Sequence, residues 1–508
     1  MNLKLNVAAT YASQIYITLI GITILPLYIR FLGTESYGLI GFFTTLQACF
    51  TLLDVGLTPT ISRQSAQYHS NSISRKTFDK IYKIASCLFY VLALIIGFLG
   101  FVFSKNIAGQ WLDSASLAPE NVSFTLKIML LCLIFRWVSG LYRGVIIGFE
   151  RLPWLSFFNV LVSTLKFIGV FASFEIFGYD ILVFFYHQLL VAFLEFIILF
   201  AFSRKVLCLH NEKCLKEYSF KEINFLALVK FSLSIALTSS IWVLVTQLDK
   251  IILSGLLTLS DYGYYSIGVL LASAIILITA PVGTALMPRL AYLYASGKNQ
   301  ELRDLYRKAT KFVSLISAVI TSILFFNAEN ILLAWTGDKM IVESSSSTLR
   351  LYAIGNLFLS LSSFAYYLQF AYGKMKFHLI GNIILLFLIV PILVYSVIEF
   401  GVVGAGFTWL LVNFLYLFIW VTYVHKNMLT GGYLKWLFND CLYPWLIPFF
   451  IGGLIYSFEF NVQSRLYIFI YLVFISLAIL IISILSNKEY RSFIFGTLNN
   501  YKALSEKN

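Results

Sequence analysis

About fourteen stretches of this chain are long and apolar enough to cross a bilayer as helices, a task that takes roughly 20 residues for ~30 Å of hydrocarbon. They fall at 7–29, 37–60, 81–103, 124–147, 154–175, 179–202, 225–253, 262–287, 310–334, 349–371, 377–398, 401–424, 442–458 and 465–485. In hydrocarbon every backbone amide and carbonyl needs a partner within the protein, and a helix supplies those partners along its own length. The expected fold is therefore an all-α integral membrane protein. Composition agrees: 59% of the 508 residues are hydrophobic and 12% are charged, where a soluble domain carries about a quarter. The first run is too long for the core of a cleaved signal peptide and is expected to remain as a helix.

The net charge of +13 would suit a nucleic-acid partner, but the placement of the cations gives it another cause. Lys and Arg collect in alternate loops, at Arg63, Arg75, Lys76, Lys80 and Lys83, at Arg204, Lys205, Lys213, Lys216 and Lys221, and again from Arg289 to Lys311. The intervening loops hold acids such as Asp113, Glu120 and Asp180. This asymmetry is the positive-inside bias, which places both termini in the cytoplasm and needs no nucleic acid. The six cysteines are scattered and imply no disulfide framework. Cys208, His210 and Cys214 lack a fourth ligand and a zinc spacing, so no metal is expected.

Parts of the chain are written twice. YGLIGFFTTLQACFTLLDVGLTPTISR, Tyr37 to Arg63, returns as YGYYSIGVLLASAIILITAPVGTALMPR, Tyr262 to Arg289, about 225 residues later. Asn159 precedes Gly178, and Asn382 precedes Gly401, by the same interval and at nearly the same offset. Duplication of a six-helix unit explains both, and because six is even the two copies enter the membrane from the same side. The expected organisation is an N-terminal six-helix bundle at 1–203, a cytoplasmic linker at 204–224, a second bundle at 225–430, and an extra helix pair with a cytoplasmic tail at 431–508.

A charged side chain at mid-bilayer costs ~2.5–3.5 kcal/mol on insertion scales, so those inside spans should face water or a partner. Arg136 and Arg143 lie two turns apart on one face of the fourth span. Asn159, Ser163 and Lys166 make a stripe on the fifth, and Gln188 and Glu195 one on the sixth, with His187 beside it. Gln47, Thr51, Asp54 and Thr58 keep helical spacing in the second span, and Asp249 shares a face with Ser239 and Thr246 in the seventh. The second half has no acid to match Asp54, so its cavity should be asymmetric, with the cations in the first half. Arg30, Lys127, Arg143, Lys230 and Lys250 sit near span ends, where long side chains snorkel to the headgroups. Arg136 and Lys166 sit nearer mid-span and are the stronger candidates for a lining role. Asp54 and Glu195 read equally as structural partners of those cations or as coupling groups, and the Ser, Thr and Asn stripes equally as packing contacts. Pro26, with Gly21 a turn earlier, and Pro281, with Gly283 just after, remove backbone hydrogen bonds and allow either static kinks or gating bends.

A pocket of guanidinium and ammonium groups suits an anion, above all phosphate, which guanidinium grips with two bonds at once. No GxxxxGK[ST] run is present, which argues against ATP-driven transport by this chain. The longest outer loop, 104–123, leaves little room for catalytic machinery. Transport is expected, with no enzymatic activity and no cofactor.

The stretch PLYIRFLGTESYGLIGFFTTLQACFTLLDVGL, Pro26 to Leu57, resembles the opening of bacterial polysaccharide flippases of the Wzx type, within the MATE-like multidrug/oligosaccharidyl-lipid/polysaccharide exporter superfamily. LDKIILSGLLTLSDYGYYSIG, Leu248 to Gly268, is similar to the start of their second half. The resemblance implies a MATE-like fold and translocation of undecaprenyl-pyrophosphate-linked oligosaccharide, O-antigen or a related unit, across the cell inner membrane by alternating access, in some members driven by an ion gradient. It implies membrane lipids, a polysaccharide polymerase and chain-length proteins as partners. On burial and helical face, rather than on the shared motifs, Arg136, Arg143, Lys166 and Asn159 are the expected substrate contacts and Asp54, Glu195 and Asp249 the expected acids for coupling or charge pairing. A MATE-type multidrug or cation antiporter would want the opposite balance, acids deep and few bases, and a sugar-transferring membrane enzyme is the remaining alternative.

Overall fold

A computed structural model of the chain describes residues 3–54, 57–70, 73–112, 118–211, 241, 243–429, 432–458, 464–486 and 491. Among them the backbone is helical apart from short turns, and eleven stretches are long and apolar enough to cross a membrane. The protein is a multi-pass, all-α membrane protein. Two of these stretches, Ala9–Thr51 at 43 residues and Lys376–Met428 at 53, are about twice as long as one crossing requires. Each is broken by a glycine at positive φ, Gly33 (83°) and Gly401 (57°), a backbone conformation that is strained for residues with a side chain. The first break falls between the first and second of the expected spans, and the second at the start of the twelfth. Part of the seventh expected span, with Lys230 and Ser239, lies outside the described residues, as does most of the linker at 204–224 with Cys214. Fourteen crossings and the internal repeat therefore stay expectations of the sequence.

The described residues form two compact units, Met1–Gly263 and Tyr264–Asn508. In the first, α1 (Leu3–Leu53) continues through Pro26 and breaks at Gly33 instead. It is followed by α2 (Leu57–His69), α3 (Arg75–Asn106), α4 (Pro119–Gly148), α5 (Leu152–Thr164), α6 (Val170–Phe177), α7 (Ile181–Asn211), α8 at residues 243–256 and the start of α9 (Leu259–Ala272). The second expected span, 37–60, is not one helix. Asp54 ends it: its carbonyl accepts from the Leu57 amide at 2.7 Å, and its carboxylate accepts from Thr58 N at 3.2 Å and Thr58 Oγ1 at 2.7 Å. A short acidic side chain that caps the next helix competes with continuation of its own.

Packing of α4 on α2 depends on small residues. Gly140, Gly144 and Gly148 recur at every fourth position along α4, and a Cβ on Gly144 would stand 2.9 Å from the Thr58 carbonyl oxygen. Such spacing lets two helices approach until their backbones touch.

In the second unit, α10 (Ala274–Ala295) continues through Pro281, and α11 (Asn299–Phe326), α12 (Ala328–Thr336), α13 (Lys339–Ala371), α14 (Lys376–Leu415), α15 (Val421–Met428), α16 (Tyr433–Lys435), α17 (Leu446–Tyr456) and α18 (Arg465–Ser486) follow. The helix pair that sequence leaves as an appendage is fastened to α11. A π turn at Trp436–Leu442 carries Asp440, whose wholly buried carboxylate accepts from Arg307 Nε at 2.6 Å and Nη2 at 3.1 Å, with Lys311 Nζ 3.8 Å away. Farther along α11, Ser314 Oγ donates to the Cys441 carbonyl at 2.6 Å and Ser322 Oγ to that of Pro448 at 2.7 Å.

Gly144→Leu should destabilise the protein by overpacking, by about 1–3 kcal/mol, read as a lower melting temperature in detergent. Gly109→Ala, whose Cβ would meet nothing within 4 Å, is the matched control and should leave melting unchanged. Asp440→Ala removes the acid between two cations and should cost up to about 3 kcal/mol, reduced because Arg307 is 44% exposed; Asp440→Asn should cost less. Protease access to the segment after Met428 measures that loss directly.

Candidate functional site

The buried charges of the first unit are held between two parallel helices. Arg136 on α4 donates through Nη2 to Gln188 Oε1 on α7 at 3.1 Å, and Arg143 on α4 donates through Nη2 to Glu195 Oε1 on α7 at 2.5 Å. Both contacts join residues 52 apart in sequence, so α4 and α7 run in the same direction with their polar positions in step. The two-turn spacing on each helix, Arg136 to Arg143 and Gln188 to Glu195, is what lets the pairs meet twice.

Each guanidinium has a different environment. Arg136 is enclosed: Nη1 donates to Gln47 Oε1 on α1 at 3.5 Å, Nε lies 3.9 Å from Glu195 Oε2, and the Phe43 ring covers the group at 5.6 Å. Its side chain is 9% exposed. Arg143 is more open, at 26%, and holds Asn159 Oδ1 through Nη1 at 2.7 Å as well as Glu195. Glu195, 8% exposed, thus sits between two arginines.

Lys166 enters from a break in helical regularity. Between α5 and α6 the chain makes a π turn, Leu165–Gly169, a wider turn that loosens the ordinary α-helical ladder and recurs at functional sites. Three of its carbonyls take side-chain donors from other helices. His187 Nε2 donates to Leu165 O at 2.9 Å, Gln188 Nε2 to Lys166 O at 3.0 Å, and Tyr28 Oη to Phe167 O at 2.9 Å. His187 Nδ1 then accepts from Ser173 Oγ at 2.8 Å, which makes His187 a positioned hydrogen-bonding group. Gln188 is the bridge, since its oxygen accepts from Arg136 and its nitrogen donates to the Lys166 backbone. The Lys166 ammonium lies 5.1 Å from the Phe167 ring, within electrostatic range of Arg136 and Glu195. Among the described residues no carboxylate approaches it within 4 Å.

Four expected site residues, Arg136, Arg143, Asn159 and Glu195, therefore meet by direct contact, and Lys166 lies beside them. Asp54 and Asp249 are not among the partners of these cations. Asp54 caps α2, and the buried Asp249 accepts from the Lys250 amide at 2.8 Å. Sequence reasoning named Gln47, Gln188 and His187 without giving them a place in the site, and it missed Phe43 and Tyr28. The stepped i, i+7 pattern of α4 and α7 was the available signal for Gln188. Among the described residues no three His, Cys, Asp or Glu side chains are grouped to hold a metal ion. The local balance is three cations to one acid, an arrangement that attracts an anion.

The chain is thus an all-helical membrane protein with a buried, cation-rich site. The fold is shared with a solved lipid II flippase MurJ in its inward closed conformation, at a TM-score of 0.72 and 17% identity over 97% of this chain and 99% of that one. It is shared as well with an inward-facing multidrug resistance MATE family transporter, at 0.64 and 14% over 85% and 100%. More than half of the chain, residues 3–294, matches the family described as "Polysaccharide biosynthesis protein", and residues 234–396 match the MatE family. The chain belongs to the polysaccharide biosynthesis protein family. A Shigella flexneri protein named "Putative O-antigen transporter" is 22% identical over 397 residues, covering 77% of this chain and 90% of that protein. The Shigella protein and the two solved structures carry transporter and flippase names, in agreement with a non-enzymatic role.

Gln188→Leu should leave Arg136 Nη2 and the Lys166 carbonyl without their partner, at about 1–3 kcal/mol for a buried unsatisfied group. A melting temperature that falls further than in Ser173→Ala, which removes one neutral hydroxyl, is the expected result.

Proposed function

We propose that this protein is a flippase for undecaprenyl-pyrophosphate-linked oligosaccharide, O-antigen or a related repeat unit, moving it from the cytoplasmic to the periplasmic leaflet of the bacterial inner membrane. The observation that carries this reading is the surplus of cations among the described residues: Arg143 is partly open, Lys166 has no acid within 4 Å, and a single carboxylate serves the group. A diphosphate carries the opposite charge and offers guanidinium two oxygens at once. Asn159, already bonded to Arg143, would orient that arginine toward the phosphate. Membership of the polysaccharide biosynthesis family and the Shigella relative's name support the choice of an oligosaccharide cargo.

In this reading the six-helix halves expected at 1–203 and 225–430, joined by the linker at 204–224, alternate access by rocking, with 431–508 as an accessory pair. Pro26 and Pro281 lie in helices that would bend. If an ion drives the cycle, Asp54 and Asp249 are the candidate acids to receive it, since neither is a partner of the arginines. Both termini lie in the cytoplasm, and a polymerase and chain-length proteins would take the exported units onward. The MatE match is the observation that would favour a cation exporter. The polarity of the cluster favours an anion.

Charge reversals decide between them. In a strain deprived of its own flippase, Arg143→Glu and Lys166→Glu should abolish surface polysaccharide, at least tenfold below wild type, while Lys166→Arg should retain most of it. Normal polysaccharide from both reversals would reject the anionic cargo, and drug resistance conferred on the host would favour the exporter.

A further inference from the structure

We propose that Glu195 is a resident counter-anion: in the unloaded protein its carboxylate occupies the arginine donors that a diphosphate takes on binding, so that loading exchanges one anion for another. This inference rests on the reading of the site as a diphosphate receptor. One acid is placed between two arginines of unequal exposure, 9% for Arg136 and 26% for Arg143, and among the described residues no carboxylate lies within 4 Å of the lysine beside them.

The geometry gives the carboxylate somewhere to go. Glu195 Oε1 is bonded to Arg143, the more open of the two arginines, while Oε2 already lies 3.9 Å from Arg136 Nε. When an incoming phosphate takes Arg143, a side-chain rotation of about an ångström closes the Arg136 contact to bonding distance. The carboxylate is never left buried without a partner, which would be strongly unfavourable. Arg136 cannot follow the ligand, because Gln47, Gln188 and Phe43 hold it on its other sides. It is the fixed post to which the displaced acid moves.

The return of Glu195 to Arg143 also competes with bound diphosphate, and so eases release after the flip. A transporter needs that competition, since a cation site with no internal rival would hold its anion too long to turn over. Glu195 therefore acts as a positioning residue that trades affinity for release.

The test uses the full-length protein in lipid nanodiscs, with farnesyl diphosphate as the probe and calorimetry as the readout, beside polysaccharide export in a flippase-deficient strain. Glu195→Gln should bind the probe about tenfold more tightly, roughly 1.4 kcal/mol, and export more slowly. Glu195→Asp, whose carboxylate stops one methylene short of Arg143, should bind several-fold more tightly than wild type, and it decides the matter if the glutamine variant does not fold. Arg143→Ala should weaken binding at least tenfold. If Arg143→Ala weakens binding but neither Glu195 variant tightens it, the exchange is wrong and the receptor reading survives. If the wild type does not bind the probe at all, the receptor reading fails and the exchange fails with it.

Discussion

The ion pair between Arg143 and Glu195 fixes the register on which the first unit's site is built. It ties α4 to α7 at the same sequence offset that joins Arg136 to Gln188, so one sliding coordinate aligns both contacts. From Gln188 the alignment passes to the π turn between α5 and α6, and from Arg136 to Gln47 on α1. Charge in a low-dielectric interior persists where every donor and acceptor is met. Four helices meet that condition together around the two arginines, which explains why polar residues so costly in a membrane can be kept there.

A similar economy of partners recurs in the second unit, with the signs of the majority unchanged. Asp440, delivered by a π turn, serves Arg307 and Lys311 on α11 as Glu195, delivered by α7, serves the two arginines on α4. The difference is exposure. Arg307 opens outward from a wholly buried acid, which suits a structural clasp, whereas Glu195 and Arg136 are both enclosed and the openness lies at Arg143.

Much of this was legible in sequence because a bilayer penalises polar side chains so heavily that each survivor inside a span is informative. Arg136, Arg143, Asn159, Lys166 and Glu195 were found by depth and helical face, and the corners at Gly33 and Gly401 follow from gaps between apolar runs. The failures have physical causes as well. Asp54 was read as part of a continuous stripe, but an aspartate that caps the following helix stops its own, and periodicity cannot count across a break. Asp440 escaped notice because it lies at the edge of an apolar run, where an acid looks like an ordinary loop residue. The packing glycines of α4 carry no polarity, and so no signal of the kind being sought. Phe43 and Tyr28 are aromatic residues in a chain that is 17% aromatic, and only the fold distinguishes them from the rest.

The wide turn at Leu165–Gly169 carries one residue more than a regular helix would need to climb the same distance. One residue is about 100° of rotation, so the helical wheel drawn from Leu152 does not continue to Phe177; α6 is re-phased relative to α5. Chain length at this point therefore decides which side chains of α6 face inward, independently of their identity. Related chains that lack the additional residue would align with this one only through a gap, and a column-by-column comparison without that gap would match inward residues of one protein to outward residues of another.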